Sequence, residues 1–397
     1  MLFRSKLLAR TSDVPALGYA VEHVEPSRKQ EKDAAAALRL DSTPGQVVLT
    51  NEHLKVTIDR SNGCITSIKS LPANAEFLAA GACGNELQAY TDKPKQYDAW
   101  NVDPGTFDVA PQLIHQLDAV EVVGDGTLRK TVRVSRSWQS SKFVQKISLD
   151  TGADYVRVDN DIDWRETHIL LKAAFPLAAS SQKATFEIPF GSIDRPTTRS
   201  NGFEKAKFEV PAMRWADLGD GKQGVAILND SKYGYDAVGN LLRLTLLRSA
   251  TWPDEEADRG EQKFAYTIYP HAGSWKDAET VKRGYELNDP LQAEQVFAHA
   301  GELPAEHSFA SVENSNVTLT AVKKAEDTDA LVFRMYEWAG KTGDVKLHVP
   351  KGAEYAVESN LMEKTEGSHL ALAGDVVSVP IKPYEILTVQ VFYGHSR

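Results

Sequence analysis

Alternation with a period of two constrains this chain more than any other feature. In Leu54-Lys55-Val56-Thr57-Ile58 apolar and polar residues take turns, which puts the apolar set on one face of a pleated strand. Asp59-Arg60-Ser61-Asn62-Gly63 then supplies turn chemistry before the pattern resumes over residues 65–68, so the segment predicts a hairpin. Val132 and Val134, and later Val156, Val158, Ile162 and Trp164, repeat the theme with charged residues between them. Antiparallel sheets with one wetter face follow from that spacing. Such segments continue to about Tyr269, and a second set between residues 317 and 391 is enough for a sandwich of about 90 residues. The expectation is an all-β chain, with a large two-sheet sandwich followed by a smaller C-terminal β-sandwich.

The expected organisation is leading strands and a linker over residues 1–45, the large sandwich over 46–300 and the small one over 301–397. Residues 26–40 are rich in Lys, Glu and Ala without apolar periodicity and read as linker. One helix interrupts the strands. Ser274-Trp275-Lys276-Asp277 has the spacing of an N-cap with an acidic residue three positions on. Trp275, Ala278, Val281 and Tyr285 form an apolar stripe, and Asp289-Pro290 ends it.

At 397 residues and 42% apolar, the chain can build two or three cores. A net charge of -10 argues against nucleic acid, whose phosphates call for clustered Lys and Arg. A neutral or weakly charged substrate fits better. No apolar run approaches the roughly 20 residues that cross a bilayer, so no membrane partner is expected. Residues 1–10 lack the apolar core and cleavage site of a signal peptide. Cys64 and Cys83 are too few for a disulfide framework and have no Cys-x-x-Cys spacing, so free thiols are expected. Few cysteines and no signal point to the cytoplasm.

Several blocks resemble one family in the right order along nearly the whole chain. They begin with Val14-Pro15-Ala16-Leu17-Gly18-Tyr19, Asn51-Glu52-His53-Leu54 and Gly63-Cys64-Ile65. The longer central blocks are Tyr97-Asp98-Ala99-Trp100, Asp163-Trp164-Arg165-Glu166 with His168, and Leu171-Lys172-Ala173-Ala174-Phe175-Pro176. Arg214-Trp215-Ala216-Asp217-Leu218, Tyr233-Gly234-Tyr235-Asp236, Leu246-Leu247-Arg248-Ser249 and Tyr269-Pro270-His271 follow, and Arg334-Met335-Tyr336-Glu337 and Pro383-Tyr384-Glu385-Ile386 close the series. Together they resemble the C-terminal β portion of a glycoside hydrolase family 38 α-mannosidase.

The resemblance implies a galactose mutarotase-like large sandwich and a zinc-dependent retaining hydrolysis of terminal α-mannosides by an Asp nucleophile and an acid/base carboxylate. It places that chemistry in an N-terminal catalytic domain, whose His-x-Asp and His-His-Asp motifs precede the point where this chain begins. No catalytic residue and no metal ligand is therefore assigned here, and zinc is expected in that other domain, not in this chain. The ten histidines include no adjacent pair, no His-x-Asp and no His-x-x-x-His. The partners implied are the catalytic domain, an α-mannoside bound by the intact enzyme, and a second copy of the chain as an oligomer. The alternative is a stand-alone carbohydrate-binding or scaffold module; a mutarotase-type activity rests on fold analogy alone.

Within this portion the residues expected to approach a substrate cleft are Arg248, Trp252, Asp254 and Asp258. Arg248 precedes a loop over residues 250–260, and its planar guanidinium can bond sugar hydroxyls or pair with Asp254 or Asp258 to order the loop. Trp252 is the tryptophan expected to stack on a sugar; Trp100, Trp164 and Trp215 are expected in the core. Asp159, Asp161 and Asp163 share a strand face that a hard cation could occupy, unless Arg157 or Arg165 neutralises it. Glu166 and His168 could form an acid/base pair or serve a sheet edge. Gly234 is expected where another backbone approaches closely.

Overall fold

A computed structural model of the chain describes residues 7–11, 13–25, 37–297 and 299–394. Most of the expected linker, residues 26–36, and the first six residues of the 1–10 segment lie outside the described residues. Contacts divide the chain into two units. One comprises residues 29–188 and 193–290, the other residues 1–28, 189–192 and 291–397.

The strand Val156–Trp164 shows how alternation builds the larger unit. Val156, Val158, Ile162 and Trp164 are buried on one face, and Arg157, Asp159, Asp161 and Asp163 occupy the other. It lies between Ser141–Asp150 and Gly260–Ala272 in a nine-stranded antiparallel sheet. A six-stranded sheet is centred on Ile169–Pro176, flanked by Leu241–Arg248 and Glu86–Thr91. The predicted hairpin appears as Leu54–Asp59 and Ile65–Ser70 in a five-stranded sheet. One core takes Val158, Ile227 and Ile268 from the first sheet, Leu171, Phe175 and Leu244 from the second, and Val47, Val56 and Ile65 from the third. Each such side chain contributes about 1.5–3 kcal/mol on burial, which is why the apolar faces dictate the layering.

The smaller unit is a sandwich of a four-stranded sheet, including Gly343–His348 and Val376–Ile381, and a five-stranded sheet, including Leu331–Glu337 and Ile386–Tyr393. Phe333, Met335, Val345, Leu347, Val379 and Val389 fill it. The strand Gly18–Ala20 pairs with Glu306–Ser308 in the same unit. The all-β expectation and the order of a large and then a small sandwich hold.

The helix is shorter than its spacing predicts. Ser274 Oγ donates to Asp277 Oδ2 at 2.7 Å and accepts from the Asp277 N–H at 3.3 Å, so the N-terminal box forms. Residues 275–279 then make turns, and the helix itself runs Thr280–Asn288. Gly284 lets it lie on the sheet, because a Cβ there would stand 2.9 Å from the Trp215 ring.

The cysteines correct a sequence expectation: Cys64 and Cys83 are joined as a disulfide. Ile65 and Gly84 exchange two backbone hydrogen bonds, of 3.0 and 2.8 Å, and this isolated bridge brings the two neighbouring cysteines together. A separation of 19 residues with no motif carries no trace of that pairing.

In the nine-stranded sheet the strands Trp215–Gly219 and Gly260–Ala272 flank Gln223–Asn229, and across it His271 Nε2 lies 2.6 Å from Asp217 Oδ2, with both side chains buried. Burial alone would lower the His271 pKa, but the hydrogen bond and the charge of Asp217 outweigh it and hold the imidazole above its ordinary value. A folded value above the unfolded one gives a stabilisation that is full below the unfolded pKa and is lost as pH rises through the folded pKa. The urea midpoint of the larger unit is therefore expected to fall as pH rises above about 6.5, the ordinary imidazole value. That component should vanish in His271→Gln; an unchanged slope in the variant would assign it to other groups.

Candidate functional site

The strand Leu241–Arg248 delivers Arg248 to its end, where the chain leaves the six-stranded sheet. The Arg248 backbone N–H donates to Asp258 Oδ2 at 3.0 Å. Its guanidinium turns the other way: Nε donates to the buried carboxylate of Asp92, Nη1 to the Ala99 carbonyl at 2.9 Å, and Nη2 to the carbonyls of Asp98, at 2.8 Å, and Asn101. A planar fork of fixed donors can hold three carbonyls and a carboxylate at once. Burial pushes the Asp92 carboxyl above its ordinary value against the opposing pull of Arg248.

Asp98 ties this loop to the next. Its Oδ2 accepts the Thr251 N–H at 2.7 Å and the Thr251 hydroxyl at 3.1 Å, and lies 3.2 Å from His168 Nε2. Burial works against ionisation, yet Thr251 and His168 prevail and hold the carboxyl below the ordinary carboxylate range. Tyr97, His168 and Asp258 all have left-handed backbone, with φ of 59°, 54° and 61°. Such residues cost of order 1–3 kcal/mol each and persist where their surroundings over-determine them, as this bonding does.

Held this way, the two loops present aromatic rings to solvent. Trp100 and Trp252 meet edge to face with centroids 5.3 Å apart, yet stay 67% and 57% exposed. Tyr97 is 66% exposed beside them, and Lys95, Gln96, Asn101 and Asp103 complete a shallow pocket with Tyr97 and Trp100. Apolar rings rimmed by a few polar groups suit a small polar ligand with one hydrophobic face.

Deeper in the same sheet lies a buried charge cluster. Lys172 Nζ donates to Asp236 Oδ1 at 2.8 Å and to Glu209, while Arg243 grips Asp236 with bonds of 2.6 to 3.1 Å. Lys172 and Arg243 together keep the Asp236 carboxyl below its ordinary value although burial pushes it up. Gly234 is the close-approach glycine expected, but its neighbours are side chains: a Cβ there would stand 2.6 Å from Glu209 Oε1 and 2.9 Å from Thr245 Cβ.

The structure places Arg248 and Trp252 in one cluster with Trp100, Asp98 and His168. Asp258 orders the Arg248 backbone, and Asp254 is an exposed turn residue accepting the Glu256 N–H at 2.9 Å. The Arg248 guanidinium pairs with Asp92, not with Asp254 or Asp258. Trp100 is not core, because residues 92–101 form a loop; Trp164 and Trp215 are buried as expected. The Asp159, Asp161 and Asp163 row faces Arg157 at 2.8 Å, Lys263 at 3.8 Å and Arg165 at 2.7 Å, so basic partners neutralise it. Glu166 accepts from Ser140 and Ser141, while His168 serves Asp98 and Thr251, so the two form no acid/base pair. Asp92 and Thr251 carried no sequence signal, since their roles arise only where distant loops meet.

Among the described residues, Cys64, Cys83 and His115 stand close enough to meet at a metal, but both sulfurs are joined in the disulfide and the set is not the nitrogen and oxygen ligand set expected for the catalytic zinc. The residues present do not fit that role, and no step of hydrolysis is routed through zinc here.

A large antiparallel sandwich and a second, smaller one define the class as an all-β protein of two sandwich regions. Residues 49–256 match the glycosyl hydrolases family 38 C-terminal domain, and residues 316–389 match the family 38 C-terminal beta sandwich domain. The chain belongs to glycosyl hydrolase family 38, in its C-terminal region. It is 34% identical over 384 residues to alpha-mannosidase 2C1 of Homo sapiens, covering 95% of this chain and 36% of that protein. With alpha-mannosidase G of Dictyostelium discoideum the identity is 32% over 362 residues, covering 89% and 33%. The chain thus spans about a third of the length of the curated relatives it matches. The crystal structure of an alpha-mannosidase from Enterococcus faecalis shares the fold, with a TM-score of 0.71 at 17% identity over 89% of this chain and 43% of that one. Among the described residues, no helix is long and apolar enough to cross a membrane.

Proposed function

We propose that this chain is the β portion of a zinc-dependent retaining α-mannosidase acting on terminal α-mannosides, and that its part is to support and wall the substrate cleft. The observation that carries this reading is the loop pair held by Arg248 and Asp98, which fixes Trp100 and Trp252 in an exposed position. A pyranose offers an apolar C–H face and a rim of hydroxyls; the indole rings suit the first, and Lys95, Asn101 and Asp103 suit the second. In a retaining mechanism two carboxylates about 5–5.5 Å apart do the bond-making and bond-breaking, and both belong to the catalytic domain this chain is paired with. The reading also includes a cytoplasmic location and contacts between copies of the chain. The same exposed rings support a second reading, a module that binds carbohydrate alone.

The test is hydrolysis of an aryl α-mannoside by the purified chain, with and without zinc, beside calorimetry with methyl α-mannoside. No turnover is expected from the chain alone. Turnover is expected once it is joined to a family 38 catalytic domain, and Trp252→Ala in that protein should lower kcat/KM about tenfold, the equivalent of roughly 1.4 kcal/mol. Zinc-dependent hydrolysis by the chain alone would overturn the assignment. Binding of the mannoside by the chain alone would favour the module.

A further inference from the structure

We propose that Cys64, Cys83 and His115 form a redox-gated site for a thiophilic divalent cation, closed as the disulfide and open to zinc when the pair is reduced. Both sulfurs and one imidazole nitrogen lie within 4.8 Å of one another. Ligands of a tetrahedral zinc, at about 2.3 Å for sulfur and 2.0–2.1 Å for nitrogen, stand roughly 3–4 Å from each other, so small side-chain shifts close the site. This inference is independent of the mannosidase reading.

Backbone hydrogen bonds gather these residues alongside the disulfide. The Ile65 and Gly84 backbone bridge holds the segments bearing Cys64 and Cys83. His115 follows Ile114, whose N–H donates to the Leu87 carbonyl at 3.0 Å. Glu86 accepts from or faces His115 Nε2 at 2.9 Å, the carboxylate support that orients metal-bound histidines. Arg136, nearly fully buried, braces the same turn: its Nη2 donates to the Asn62 carbonyl at 2.9 Å. Cys64 is buried while Cys83 is half-buried and the His115 side chain is 40% exposed, which leaves an entry from solvent.

The chemistry balances with a dithiol reductant. Its two thiols pass two electrons and two protons to the Cys64–Cys83 bond, giving two cysteine thiols and the reductant's own disulfide. Zinc then binds both sulfurs as thiolates and neutral His115, and two protons leave to solvent. Three protein ligands leave the fourth position to water.

Anaerobic titration of the reduced chain with cobalt(II), freed of reductant, tests the proposal. The expected result is one equivalent bound with a thiolate-to-cobalt charge-transfer band, displaced by zinc and absent from the oxidised chain. Cys83→Ala should abolish the band. Glu86→Gln should weaken binding about tenfold and His115→Ala more than that; neither side chain is in a core, so both variants keep the fold. No stoichiometric band, or a band that His115→Ala leaves unchanged, would overturn the site.

Discussion

Replacing Lys172 by methionine is expected to destabilise the larger unit by about 3–5 kcal/mol, the cost of leaving a buried charge without its partner. The Lys172 and Asp236 side chains are both fully buried, and the Lys172 ammonium is shared between Asp236 and Glu209. Methionine keeps the volume and removes the charge. Arg243 still neutralises Asp236, so the uncompensated group is Glu209, left with the Thr245 hydroxyl at 2.5 Å. The double variant Lys172→Met with Glu209→Gln should recover a large part of the loss, because the second change removes the orphaned charge. Urea unfolding followed by tryptophan fluorescence reads both. A single-variant loss under about 1 kcal/mol would mean that water reaches the cluster and the pair is no more than a surface one.

Arg248→Ala is expected to have an effect nearly as large and of a different kind. Asp92 is buried and Arg248 is its partner, so truncation costs about 3 kcal/mol. The variant also releases the carbonyls of Asp98, Ala99 and Asn101 from one clamp. Proteolysis within residues 93–101 should therefore accelerate well beyond what global destabilisation explains. Arg248→Lys should restore charge to Asp92 but not the loop, since an ammonium cannot present the fork. In the proposed intact enzyme the loose loop should lower kcat/KM about 100-fold, as misplacement of a positioning element by about 1 Å does. Equal protease sensitivity in wild type and Arg248→Ala would show that Asp98 and Thr251 hold the loop without the guanidinium.

Arg248 illustrates how much of the site was legible. Its place before an acidic loop made it a candidate, and the nearby acids suggested its partners. The true partner, Asp92, lies 156 residues away in sequence, and the carbonyls it binds are backbone groups that any sequence would supply. Trp100 was misplaced for a related reason. The block Tyr97-Asp98-Ala99-Trp100 was recognisable, but whether a tryptophan packs inward depends on whether its segment joins a sheet. Here Asp98 bonds to Thr251 and holds the segment as a loop. The disulfide was missed because cysteine spacing has no meaning until Ile65 and Gly84 pair.

By itself the sequence determined what repeats along a strand. Apolar residues at every second position on strands such as Ser141–Asp150 and Val156–Trp164 decide which face is buried, and hence the all-β class and the two sandwiches. Local turn and cap residues likewise placed the hairpin of Leu54–Asp59 with Ile65–Ser70 and the approach to the helix Thr280–Asn288. Tertiary structure alone decided the pairings across sheets and loops: Arg248 with Asp92, Lys172 with Asp236 and Glu209, and Cys64 with Cys83 beside His115. Burial periodicity is a property of a few successive residues, whereas charge and ligand partners are chosen by which distant strand ends the closed sheets bring within about 3 Å.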